Sequence, residues 1–155
     1  MLIAALVVSA ATVGALASSA VPYRLACTPK PVTVKGHPGV VECGPATANV
    51  KFKGKTIKYA GGTCKKIGPL LSLYIGTHVT GGGSDHLFYM LLQKSAGNYT
   101  PKTGLIGLQL AYASYHWDTG TLKVKSGGKS GTFKGTLVKF PQTKSAGSFS
   151  GSYSC

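Results

Sequence analysis

Apolar and polar residues alternate along this chain in short runs, each closed by glycine, proline, asparagine or serine. The clearest run lies between Cys43 and Cys64, CGPATANVKFKGKTIKYAGGTC. Ala48, Val50 and Phe52 alternate with Asn49, Lys51 and Lys53, the period of two that belongs to a strand with one buried face. Ile57 and Tyr59 alternate with Lys58 in the same way. Lys53-Gly54 suits a two-residue turn, whose second position takes a positive φ that glycine adopts without steric cost. The resulting hairpin pairs Phe52 with Lys55, Val50 with Ile57 and Ala48 with Tyr59. Carried outward, this register sets Cys43 opposite Cys64, within disulfide range. Gly44-Pro45 is where the ladder is open to interruption.

The same rhythm continues on both sides. PVTVKG reads as a first strand, followed by the turn-rich His37-Pro38-Gly39 and a short VVE. Gly61-Gly62 and Gly68-Pro69 mark breaks around Lys65-Lys66. Leu70 to Val79 is a strand with Leu71, Leu73 and Ile75 on one face. His86 to Lys94 contains LFYMLL, apolar at successive positions, as in a central strand covered on both faces. SAGNYTPKTG is a loop carrying a glycosylation sequon at Asn98. Leu105 to Trp117 is the longest strand, and Asp118-Thr119-Gly120 turns it into TLKVKS, where Leu122 and Val124 face in and Lys123 and Lys125 face out. Thr132 to Phe140 and Gly147 to Cys155 are the last two strands, the latter alternating Phe149 and Tyr153 with serines. These patterns predict an all-β fold, an antiparallel β-sandwich or barrel of about eight or nine strands, stabilised by disulfides.

Residues 1–20 are apolar or small and carry no charge, with Ser18 and Ala20 placed before a mature start at Val21. They read as a signal peptide, although no Lys or Arg precedes the apolar run. Residues 21–155 then form a single domain, with no linker or internal repeat. The expected localisation is secreted or extracellular, with the cell surface as an option. Four cysteines, Cys27, Cys43, Cys64 and Cys155, pair fully in an oxidising compartment. The hairpin register favours Cys43–Cys64 and, by elimination, Cys27–Cys155. Cys27–Cys43 with Cys64–Cys155 is the main competitor.

Charge narrows the partners. There are 17 basic residues against 3 acidic ones, a formal +14, and all but one of the basic residues are lysine. Such a balance attracts anionic polysaccharide, wall polymer or an anionic membrane surface. Lysine serves as a point charge, whereas arginine grips phosphate and base edges bidentately, so sequence-specific nucleic-acid recognition is not expected. Lys51, Lys53, Lys58, Lys123 and Lys125 fall on the outward faces of their hairpins and make a basic face if the hairpins share one sheet. The ordinary alternative is a solvated exterior whose lysines guard strand edges.

Catalytic groups are scarce: the acids are Glu42, Asp85 and Asp118, the histidines His37, His78, His86 and His116. There is no GxSxG, HExxH, P-loop or CxxC motif. If strands 70–79, 86–94 and 105–117 form a meander, His78, Asp85, His86, His116 and Asp118 gather at one end. Imidazoles with a carboxylate there suit zinc or copper, or acid–base chemistry. No cofactor is expected otherwise.

The secretory leader, the Cys-hairpin-Gly-Thr-Cys stretch, units such as GKSGTFKGT and the closing GSFSGSYSC resemble small exported proteins and surface lipoprotein antigens of actinobacteria. Arg24-Leu25-Ala26 before Cys27 departs from their lipid-attachment pattern. The resemblance implies no catalytic residues. The expected function is a non-enzymatic secreted or cell-surface domain that adheres to anionic polymer through lysines. The alternatives are a small secreted hydrolase or metal-binding protein using the His/Asp end, and a cationic inhibitor or antimicrobial protein.

Overall fold

The computed structural model describes residues 27–34, 36–79, 85–93, 96–111 and 113–155; the leader expected over residues 1–20 lies outside them. The strands are β1 (Lys30–Val34), β2 (His37–Val41), β3 (Thr47–Phe52), β4 (Lys55–Ala60), β5 (Gly62–Ile67) and β6 (Leu70–Val79). They continue with β7 (Asp85–Leu92), β8 (Gly97–Tyr99), β9 (Gly104–Leu110), β10 (Ala113–Val124), β11 (Ser130–Lys139) and β12 (Ser145–Ser154). All twelve belong to one antiparallel sheet, ordered β1-β2-β6-β7-β9-β10-β11-β12-β3-β4, with β5 on β6 and β8 on β10.

A sheet with one apolar face and no second layer must turn that face on itself. Gly61 makes this possible. Its φ of +74° bends the chain between β4 and β5, so β4 stays beside β3 while β5 returns to β6. The inward face is a single core in which Val50, Leu73, Ile75, Phe88, Met90, Ile106, Leu108, Leu122 and Leu137 are fully buried. Truncating any of these leucines to alanine costs about 2–5 kcal/mol, lost transfer energy plus the cavity left behind. Ring contacts span the interior between strands distant in the sheet: Tyr59 lies 5.9 Å from Phe88, and Phe88 lies 5.4 Å from Phe133.

The β3–β4 hairpin has the expected register: Phe52 with Lys55, Val50 with Ile57, Ala48 with Tyr59. Lys53 and Gly54 both take positive φ, +50° and +73°, which matches the twist of the flanking strands. The antiparallel ladder stops at Thr47 and Ala60, however: beyond it Gly44 and Gly61 take positive φ, +130° and +74°, and the chains meet through a parallel Pro45–Gly62 bridge instead of the register that would oppose Cys43 and Cys64. Cys64 pairs instead with Leu73 of β6. The preferred disulfide pairing is therefore corrected to its competitor. Cys27 bonds Cys43 and Cys64 bonds Cys155, each with Cα atoms 5.8 Å apart.

Other expectations also change. Among the described residues twelve strands form one sheet, not eight or nine in a sandwich or barrel. The segment 105–117 is not one strand: Ala111 at φ +38° lies in the two-residue connection from Leu110 to Ala113 that divides it into β9 and β10. Asp118-Thr119-Gly120 is not a turn but a bulge inside β10, where the register with β11 shifts between Trp117 and Thr119. Lys65 and Lys66 lie within β5, His37 opens β2, and Asn98 and Tyr99 of the sequon lie in β8. β7 is central between β6 and β9, with Phe88, Met90 and Leu92 buried on its core face; on the other face Leu87 is buried and Leu91 is exposed, so that face is covered in part.

Candidate functional site: a lysine-banked groove

Alternation along β3, β10, β11 and β12 sends Val50, Leu122, Phe133 and Phe149 inward and every second residue outward. Because β10, β11, β12, β3 and β4 are consecutive in the sheet, the two lysine hairpins do share one sheet. Their outward residues form registered rows. One row runs Thr121, Lys134, Ser150, Lys51, Thr56. The next runs Asn98, Lys123, Thr132, Ser152, Asn49, Lys58.

Side-chain length shapes this surface. β12 offers only short residues there, Ser148, Ser150 and Ser152, so it is a floor. Lysines on the strands to either side rise above it as banks. Two adjoining depressions result. One of 590 Å³ is lined by Lys51, Lys134, Ser148 and Ser150 among others, and one of 400 Å³ by Lys123, Thr132, Lys134 and Ser150 among others. They share Lys134 and Ser150. Strands lie about 4.8 Å apart, so the backbones of Lys51 and Lys134, two strands removed, are about 10 Å apart. No carboxylate lines either depression.

The expected lysines take different places. Lys51 and Lys123 line the groove. Lys58 and Lys125 are exposed beyond it. Lys53 lines the larger depression from the β3–β4 turn, where its ammonium lies 5.3 Å from the Phe52 ring centre and 5.2 Å from that of Tyr115. Lys134 was not among them. The alternation of Phe133 with Thr132 and Lys134 in GTFKGT was the signal for it.

The histidine and aspartate residues are spread along the sheet. His78 pairs with Val40, and His86, at φ +39°, is the extra residue in the bulge between β6 and β7. Asp85 opens β7 opposite Thr77. His116 lies on β10 opposite Gly107 and stacks on Phe140, ring centres 5.7 Å apart. Asp118 accepts a long 3.4 Å hydrogen bond from Thr136. Since residues 118–120 are not a turn, the end of the sheet that holds His78 and His86 does not hold Asp118. Among the described residues no three His, Cys, Asp or Glu side chains form a group able to hold a metal ion. Among them, too, no helix is long and apolar enough to cross a membrane.

No family model matches the chain, and no curated protein or solved structure does.

Proposed function

We propose that this protein is a non-enzymatic β-domain of the extracellular space or cell surface that holds a linear anionic polymer along β12. The observation that carries the reading is the placement of Lys134 and Lys51 on opposite sides of Ser150, with Lys123 extending one bank. An extended chain lying along the floor meets ammonium groups from both sides and hydroxyls beneath. The charges meet its anionic groups, and Ser148, Ser150 and Thr132 hydrogen-bond its oxygens. A flat bilayer engages raised lysines but not a recessed serine floor, so wall polymer or anionic polysaccharide suits the groove better. Two disulfides fit an oxidising compartment, where such polymers are met.

The test is retention on immobilised polyphosphate beside flotation with phosphatidylglycerol vesicles, each across a salt series. The reading predicts retention on polyphosphate that fades as added salt shortens the Debye length below about 8 Å. Failure to bind polyphosphate at low salt, or tighter binding to vesicles, would contradict it.

A further inference from the structure

A second surface lies away from the lysine groove, where β6 changes partner. β5 pairs with Leu70 to Ile75 of β6, and β2 pairs with Thr77 to Val79. Between these ladders the Glu42 N–H donates to the Gly76 carbonyl at 2.8 Å, and the Thr63 hydroxyl donates to the Cys43 carbonyl at 2.8 Å. These bonds fix the walls of a 340 Å³ crevice lined by Glu42, Thr63, Lys65, Tyr74 and His78.

One wall continues as an aromatic platform. Tyr74 is 39% exposed, and its ring runs nearly parallel to that of Tyr89 on β7, 13° between planes and 6.4 Å between centres. Tyr89 lies across β9 because Gly107 has no side chain; a Cβ there would fall on the Tyr89 ring. Exposed Leu91 and Leu105, opposite each other on β7 and β9, adjoin it.

We infer that this crevice and platform form a binding site for a neutral saccharide, independent of the lysine groove. A pyranose has one face of C–H groups, which packs on an exposed tyrosine ring, and a rim of hydroxyls. The rim finds an acceptor in the Glu42 carboxylate and donors in Lys65 and His78. Convergent polar groups beside an apolar surface, held by backbone hydrogen bonds, are the usual make-up of a small-ligand site. Charge sets the ligand class. Glu42 is one of only 3 acidic residues in the chain, and its carboxylate repels a polyanion while accepting from neutral hydroxyls.

The test is calorimetric titration of the full chain with hexasaccharides of glucose and of N-acetylglucosamine in β linkage, with maltohexaose, and with adenosine as a stacking control. At least one hexasaccharide should bind in preference to adenosine. Tyr74→Ala and Glu42→Gln should each weaken it by about tenfold or more. Both side chains lie on the outer surface, and thermal melting verifies that each variant is folded. Lys51→Ala with Lys134→Ala should leave saccharide affinity unchanged, which separates this site from the groove. Absence of binding by all three hexasaccharides, tighter binding of adenosine, or affinity indifferent to both crevice variants would overturn the inference.

Discussion

Lys134 of β11 and Lys51 of β3 are register partners of the same residue, Ser150, on opposite sides of β12. Neither hairpin alone makes this relation. It requires β12, the last strand in the chain, to insert between β11 and β3. The groove is therefore a product of the sheet order, and its stability depends on what holds that order in place.

The Cys64–Cys155 bridge ties the end of β12 to β5 across 91 residues, whereas Cys27–Cys43 closes only 16. Loop-closure entropy grows with the logarithm of loop length. Replacing Cys64 and Cys155 by serine should therefore cost about 1.5 kcal/mol more than replacing Cys27 and Cys43. Urea unfolding of the two double variants measures the difference, and equal losses would contradict it.

Glycine matters most where strands meet closely. A Cβ on Gly135 would fall on the Thr119 carbonyl and crowd Gly120, both backbone. Gly135→Ala should cost about 2–3 kcal/mol, because neither neighbour can rotate away. Gly54 has open space around it, and only its φ of +73° resists a side chain. Gly54→Ala should cost about 1–2 kcal/mol. Thermal melting of the pair gives the order.

Two buried tyrosines differ in one bond. The Tyr153 hydroxyl donates to the Gly128 carbonyl at 3.1 Å, while that of Tyr59 has no hydrogen-bond partner among the described residues. Tyr153→Phe should lower stability by about 1 kcal/mol, and Tyr59→Phe should leave it unchanged or raise it.

Burial raises the pKa of both phenols, with Tyr99 adding to the effect on Tyr153. The folded chain thus keeps protons that the unfolded chain releases above about pH 10. This contribution to stability is complete below that pH and is lost as pH rises toward the folded values. Melting temperature should fall steeply above about pH 10, and less steeply in Tyr59→Phe.

The hairpin was legible down to its register because its signals are local: alternation on both sides of Lys53-Gly54 and a turn that glycine permits. The disulfides were not, because Gly61 redirects β5 to a strand the hairpin pattern does not mention. The β9–β10 connection was hidden because Ala111 takes positive φ without a turn-forming residue type. Conversely, Asp118-Thr119-Gly120 has the composition of a turn but serves as a bulge, with the Trp117 indole N–H donating to the Thr119 carbonyl at 2.7 Å. That exchange of turn and bulge also removed Asp118 from the expected histidine end. The lysine face was legible in its outward alternation, but its groove depends on the short residues of β12 lying between lysine-bearing strands, a relation of sheet order.

The most direct measurement is the affinity of a defined linear polyphosphate for the wild-type chain, for Lys51→Ala/Lys134→Ala, and for Lys102→Ala/Lys139→Ala, at several salt concentrations. Both double variants lose the same charge, but Lys102 and Lys139 are exposed residues that do not line the groove. The account predicts that the first pair weakens binding about tenfold or more at physiological salt, while the second changes it by about threefold or less. Equal losses from the two pairs would mean that net charge alone attracts the polymer, and would contradict a groove along β12.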